Sequence, residues 1–151
     1  VSSERAPEFV VADAERCGLL EACARVVRLA YLQEAEAIRS LQAELQPCLT
    51  VVDTLQTITR EDLDSHPGSS SQVRGCAALL ADGEHACLLV AHVTADGRIA
   101  GPRAVQHRVD VVLYMEHSEE GPNARFLRAA KNRFGNAAVR AALRIGARGF
   151  A

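Results

Sequence analysis

Two short apolar runs constrain the fold of this chain more than any other feature of its sequence. Residues 48–52 form the first run, which ends at Asp53, and residues 86–91 form the second, which is followed by His92. Apolar runs of this length, without polar alternation, are typical of parallel strands that are buried on both faces of a sheet. We therefore predict that both runs are buried parallel strands.

Helical patterns alternate with these runs. Residues 10–29 and 34–45 carry apolar side chains at spacings of three and four, and residues 72–81 follow a polar loop. We predict one helix over each range, and short strands at residues 1–3 and 29–32. Strands that alternate with helices indicate an α/β fold with a mainly parallel sheet, in which ligand loops lie at the carboxyl ends of the strands.

The last third of the chain shows a different pattern. Residues 109–115 and 124–130 are apolar segments on either side of a turn, and they predict a hairpin. Residues 137–145 are rich in alanine, which favours helix, so we predict a terminal helix there.

Composition indicates a globular chain with an uneven charge. The 151 residues are 48% hydrophobic, and no stretch approaches the roughly 20 apolar residues of a membrane span. The five cysteines include no C-x-x-C pair, and three of them lie in apolar runs, so we expect buried free thiols at Cys48, Cys76 and Cys87 and a cytoplasmic protein. Residues 1–97 hold 7 Arg and 15 Asp or Glu, a net −8, whereas residues 98–151 hold 10 Lys or Arg and 4 acids, a net +6. This basic half could contact phosphates or be only a solvated face.

Residues 49–53, Leu-Thr-Val-Val-Asp, have the form of a Walker B strand. Phosphoryl-transfer sites place an acidic group at such a strand end to hold Mg²⁺ and its water shell. The phosphate-binding pattern G-x-x-x-x-G-K-[ST] does not occur, because the only lysine, Lys131, is followed by Asn132.

Five ordered motifs together resemble the RadA/Sms family of bacterial DNA-repair ATPases. The family patterns are D-S-I-Q-T, P-G-S-x-S-Q-V-R, H-V-T-x-x-G-x-x-A-G-P-R, H-x-V-D-x-V-L-Y-x-E and K-N-R-F-G. They match, in order, residues 53–57, 67–74, 92–103, 107–116 and 131–135. The resemblance extends more weakly to the opening Val-Ser-Ser-Glu, and it covers most of the chain.

The resemblance implies a RecA-like ATPase core that uses ATP and Mg²⁺ and binds single-stranded or branched DNA. Its catalytic residues would be Glu4, which polarises water, and Lys131 and Arg133, which act on the nucleotide of a neighbouring subunit in a hexameric ring. Nucleotide and magnesium would be contacted by Asp53, the Mg²⁺ ligand, and by the γ-phosphate sensors Gln56, His92 and Thr94. DNA would contact two channel loops through Gln72, Arg74, Arg98 and Arg103.

The chain also departs from the family pattern. It carries no four-cysteine zinc motif, no phosphate loop and no Lon-protease-like domain, and Ser3 replaces a glycine beside Glu4. Residues 136–151 do not match the family continuation, so we expect a partial RecA-like core over 1–135 and a divergent tail over 136–151. Without the strand that precedes the phosphate loop, strand 48–52 is expected to expose an apolar edge.

We therefore interpret the chain as a partial copy of a RadA/Sms-type ATPase that couples ATP hydrolysis to branch migration on DNA. On its own it is expected to be inactive. Two alternatives stay open: a non-catalytic module that assembles with a complete paralogue, or a pseudogene product without function. No membrane partner is expected.

Overall fold

A computed structural model describes residues 1–92 and 104–150 of the chain. The helices are α1 (Pro7–Arg16), α2 (Leu20–Val26), α3 (Ala35–Leu45), α4 (Ser70–Ala81) and α5 (Ala104–Arg108), with a 3-10 turn at Leu55–Thr57. The strands are β1 (Leu49–Val52), β2 (Ala86–Leu89), β3 (Val111–His117), β4 (Ala124–Asn132), β5 (Arg140–Gly146) and β6 (Gly149–Phe150). These elements divide into two compact units, residues 1–10 with 28–108 and residues 11–27 with 109–151.

The first unit contains a small parallel sheet. β1 and β2 pair in parallel, with Leu49 opposite Ala86 and Val52 opposite Leu89. Isolated parallel bridges extend this sheet, because Ser2 pairs with both Tyr31 and Asp53. The predicted strands at residues 1–3 and 29–32 are thus present as single bridges rather than as full strands.

One face of this sheet is covered by α3 and α4, which supply most of the core. The fully buried side chains include Ile38 of α3, Val52 of β1 and Leu80 of α4. Ser69 is the N-cap of helix α4. Its side chain accepts a hydrogen bond from the Gln72 backbone amide and so satisfies one free donor of the first turn. The predictions of helices over 34–45 and 72–81 are confirmed to within two residues.

We predicted that β1 and β2 are buried on both faces, but their other face is exposed. Leu49 is 49% exposed and Leu88 is 50% exposed, while Thr50 and Val52, which point the other way, are buried. The expected free edge is also on a different strand. β1 is bonded on both sides, to β2 and, through Asp53, to Ser2, whereas β2 pairs only with β1 within the described parts of the chain.

The long helix predicted over residues 10–29 is divided in two. Gly18 has φ +71° and separates α1 from α2, and its amide donates to the Glu15 carbonyl. A left-handed glycine of this kind ends a helix and satisfies its last carbonyls. Periodicity alone missed this break because the apolar spacing continues across it.

The second unit is built on a four-stranded antiparallel sheet in the order β3-β4-β5-β6. The predicted hairpin is confirmed, since β3 and β4 pair from Val111 with Asn132 to His117 with Arg125. The predicted terminal helix is wrong, because residues 140–146 form β5 along the free edge of β4. A short alanine-rich helix is marginal in water by itself, so pairing with an available strand edge overrides its propensity.

The fold class is therefore mixed α/β, as predicted, but it is not mainly parallel. The larger sheet is antiparallel, and the parallel sheet has two strands. A RecA-like core remains a prediction. The tail after residue 135 contributes β5 and β6 to the sheet that contains β3 and β4. No helix among the residues described is long and apolar enough to cross a membrane.

The cysteines are free thiols in differing environments. Cys76 is buried, and this burial raises its pKa to about 12, so the thiol stays protonated at neutral pH. Burial also raises the pKa of Cys87, whereas Cys48, which we expected to be buried, is exposed.

The exposed apolar face of β1 and β2 should cause self-association at micromolar concentration, because exposed apolar surface beside an unpaired strand edge favours contact with another chain. Size-exclusion chromatography should show multimers, and Leu88→Lys should shift the protein toward a monomer. The matched control is Val26→Lys, which changes an 81% exposed valine of α2 and should leave the elution volume unchanged. A parent chain that elutes as a monomer would contradict this expectation.

Candidate functional site

Two acidic residues lie at the carboxyl end of the parallel sheet. Asp53 directly follows β1, and Glu4 lies two residues after the bridge at Ser2. The two segments are joined by backbone hydrogen bonds, from Asp53 N to the Val1 carbonyl at 3.0 Å and from Ser3 N to the Asp53 carbonyl at 2.8 Å. Both acidic side chains are exposed, so their carboxylates are accessible to a ligand.

Two further candidate residues lie at the same end of the sheet. His92 follows β2, and its Nε2 lies 3.6 Å from the Glu4 carboxylate. Gln56 lies in the 3-10 turn after Asp53, and its Nε2 donates to the His92 carbonyl at 3.2 Å. The structure thus brings four of the predicted residues together: Glu4, Asp53, Gln56 and His92.

A buried network of hydroxyl groups fixes the loop that carries Asp53 and Gln56. Ser3 Oγ donates to the Thr54 carbonyl at 2.8 Å and accepts from the Thr54 amide at 2.9 Å. Thr57 Oγ1 lies 2.6 Å from Ser3 Oγ, and Thr54 Oγ1 lies 2.7 Å from Gln56 Oε1. Ser3 and Thr54 are both fully buried, so these hydrogen bonds anchor the loop to the protein interior.

Sequence reasoning missed the part played by these hydroxyl groups. We noted Ser3 only as a replacement for glycine, and we assigned no part to Thr54 or Thr57. The one available signal was the position of small hydroxyl residues directly after two strands, where such side chains bond to nearby backbone.

Gln72, predicted to contact DNA, is buried and bonded within the chain. It is 2% exposed, and its Oε1 accepts from the Arg60 amide at 2.8 Å. Its Nε2 donates to the carbonyls of Leu63 at 2.9 Å and Ser65 at 3.1 Å. The amide is thus used within the chain and is not presented to a ligand. Arg74, two residues further along α4, is exposed.

Lys131 and Arg133 lie in the second unit, where two of the sequence motifs meet. Lys131 Nζ donates to the Val109 carbonyl at 2.6 Å. Arg133 bonds Asp110 twice, through its backbone amide at 2.9 Å and through Nη1 to Oδ1 at 2.5 Å. Both cations are therefore held against the segment that leads into β3. The remaining candidates, Thr94, Arg98 and Arg103, lie outside the described residues.

The residues present fit one part of a nucleotide–magnesium site. Magnesium is usually held by one or two carboxylates together with substrate phosphates, and Asp53 and Glu4 offer oxygens of this kind. Among residues 1–92 and 104–150 there is no group of three His, Cys, Asp or Glu side chains arranged for a metal ion. The pattern G-x-x-x-x-G-K-[ST], whose backbone would cradle a triphosphate, does not occur in these 151 residues. These residues therefore match only the acidic, magnesium-binding part of such a site.

Ligands of open parallel α/β sheets bind at the carboxyl ends of the strands, and Glu4, Asp53 and Gln56 lie at such an end. Comparison with known proteins gives the family. The chain is 40% identical over 139 residues to "DNA repair protein RadA" of Pseudomonas aeruginosa, covering 89% of this chain and 30% of that protein. It is 46% identical over 107 residues to the protein of the same name in Bacillus subtilis, covering 68% of this chain and 23% of the relative.

A third relative of that name, from Mycobacterium tuberculosis, is 38% identical over 144 residues, which is 91% of this chain and 29% of the relative. No protein-family model matches the chain. The chain belongs to the RadA family, as a partial copy that spans less than a third of the length of these curated relatives.

The position of Gln72 generates a stability prediction. Gln72→Ala should lower the free energy of unfolding by about 1–3 kcal/mol, because it leaves the buried Arg60 amide and several carbonyls without partners. Arg74→Ala is the matched control on the same helix, and it should change stability by no more than about 0.5 kcal/mol. Urea denaturation followed by circular dichroism measures both. Equal effects of the two substitutions would show that the Gln72 network adds no stability.

Proposed function

We propose that this chain is the part of a RadA-type DNA-repair ATPase that carries the acidic and γ-phosphate-sensing side of the ATP site. The observation that carries the proposal is the gathering of Glu4, Asp53, Gln56 and His92 at one end of the parallel sheet. Its support from relatives is their common name, DNA repair protein RadA. ATP hydrolysis coupled to branch migration on DNA is the activity proposed for the complete protein.

In this proposal Asp53 and Glu4 have different tasks. Asp53 extends from the end of β1 and would hold Mg²⁺, which would supply charge neutralisation at the phosphates. Glu4 polarises the attacking water. Its carboxylate is half exposed and lies 3.6 Å from the His92 imidazole, so water can reach it.

Gln56 and His92 connect the site to the rest of the chain. The hydrogen bond from the Gln56 amide to the His92 carbonyl joins the turn after β1 to the segment after β2. Residues 96–103, which the family resemblance assigns to a DNA loop, begin four residues after His92 in the sequence. A change at Gln56 on loss of the γ-phosphate could therefore reach that loop through one backbone carbonyl.

Lys131 and Arg133 are proposed to act on the nucleotide of a neighbouring subunit in a ring. Arg133 is 67% exposed, and its partner Asp110 is 47% exposed. An exposed ion pair contributes about 0–1 kcal/mol, so the guanidinium can leave Asp110 for a phosphate at small cost.

A chimera tests the proposal. Residues 1–135 would replace the matching segment of the Pseudomonas aeruginosa relative, which supplies the remaining sequence. We expect DNA-stimulated ATP hydrolysis by this chimera, reduced to the buffer blank by Asp53→Asn. Glu4→Gln should reduce turnover by about 10²–10⁴-fold, the usual range for loss of a general acid or base, while ATP binding is retained. Phosphate release and fluorescent-nucleotide binding measure the two effects.

The control variant is Glu8→Gln, which removes the same charge from an exposed glutamate of α1 and should leave turnover unchanged. The chain by itself should release no phosphate above the blank with Mg²⁺, ATP and DNA, since its sequence has no phosphate loop. The proposal would be contradicted if the chimera folds and binds ATP, and if its Asp53→Asn variant hydrolyses ATP at the same rate.

A further inference from the structure

Three strands of the second unit place arginine and aromatic side chains on one face of the sheet. Tyr114 of β3 is opposite Arg128 of β4, which is in turn opposite Arg140 of β5. Phe126 and Arg144, two and four residues along their strands, point to the same side because side chains alternate with a period of two. We call these five residues the arginine face: Tyr114, Phe126, Arg128, Arg140 and Arg144.

The positive charge of this face is only partly neutralised. Arg128 bonds Glu116 through Nη2 at 2.6 Å, and Arg140 lies 3.8 Å from the second oxygen of the same carboxylate. Two guanidinium groups in direct cross-strand register thus share a single carboxylate, although like charges in register repel. Arg144 reaches Glu120 only at 4.0 Å and is 80% exposed. A polyanion would relieve this repulsion.

The aromatic rings give the face a second property. The Arg128 guanidinium lies 5.0 Å from the centre of the Tyr114 ring, and that of Arg140 lies 5.8 Å from the centre of the Phe126 ring. Tyr114 and Phe126 are half-buried at the surface of the sheet. Guanidinium planes and accessible aromatic rings on a sheet are surfaces on which unpaired bases stack, while the same arginines bind the phosphates.

We propose that the arginine face binds single-stranded DNA. The inference rests on the proposed function for its choice of DNA, and it adds a contact surface distinct from the loops at residues 67–74 and 96–103. Charge complementarity supports it, because residues 98–151 carry a net +6. An unpaired strand fits better than a duplex, since stacking on the face requires bases that are not already stacked in a helix.

Arg140 and Arg144 belong to the tail after residue 135, where the sequence motifs end. The tail adds these two arginines to the face by pairing β5 along β4. Two of the three arginines of the proposed surface therefore come from the C-terminal segment, and the third comes from β4.

The test is binding of the full chain to a fluorescent oligothymidine over a range of salt concentrations. The double variant Arg140→Ala with Arg144→Ala should bind more weakly. It should also flatten the plot of log K against log salt by about 1.4, since each single-strand phosphate contact contributes about 0.7. The single variant Arg144→Ala, at an exposed position, should flatten it by about 0.7 and serves if the double variant does not fold. Arg140→Lys with Arg144→Lys should keep the parent slope.

The matched control is Arg25→Ala with Arg148→Ala, which removes the same charge from exposed residues outside the face. Its slope should stay close to that of the parent. A slope change equal to that of the Arg140 and Arg144 variant would mean that binding depends on net charge alone, and would overturn the proposal.

Tyrosine fluorescence reports directly on DNA binding at the arginine face. The chain has no Trp and two Tyr, Tyr31 and Tyr114, so a Tyr31→Phe variant reports on Tyr114 alone. Oligothymidine should quench its emission, and a duplex of the same length should quench it less.

The outcomes separate this inference from the proposed function. In one outcome the parent binds DNA, Tyr114 emission is unchanged, and only Arg98→Ala with Arg103→Ala flattens the slope. DNA binding by the arginine face would then be wrong, while the proposed function would stand. If folded parent protein binds no oligonucleotide at about 50 mM salt, the DNA part of the proposed function fails together with this inference.

Discussion

The candidate site depends on two backbone hydrogen bonds at Asp53. Its amide and carbonyl both bond to the segment at residues 1–3, about 50 residues away in the sequence. These bonds hold Glu4 beside the end of β1, and the pairing of β1 with β2 brings His92 to the same place. Each acidic or imidazole side chain is therefore positioned by backbone pairing within a sheet, which is more rigid than a loop would be.

The regular parts of the fold could be predicted wherever local pattern and tertiary packing agree. Helices α3 and α4 bury the face that their apolar spacing indicates, and the hairpin of β3 and β4 has its turn between two apolar segments. Prediction failed where a single backbone conformation or a distant partner decides the structure. Gly18 ends a helix through its positive φ, and the alanine-rich tail becomes a strand because β4 offers an edge.

The candidate site shows the same division. Asp53, Glu4, Gln56 and His92 could be selected from motifs, and they lie together. The motif for Gln72 gave no sign that its side chain is buried, since burial depends on how the loop at residues 60–65 folds over α4. The role of Ser3 was equally hidden, because its partners Thr54 and Thr57 are more than 50 residues away.

The Gln72 side chain has a further consequence for motion. It bonds the backbone of the loop at three residues, Arg60, Leu63 and Ser65, while its own position is fixed by α4. That loop should therefore not fluctuate independently, and it should open only when α4 opens. In hydrogen-exchange terms, the Arg60 amide, although it lies outside any helix or strand, shares the opening free energy of a buried helix. One glutamine thus joins an irregular segment to the buried helix α4.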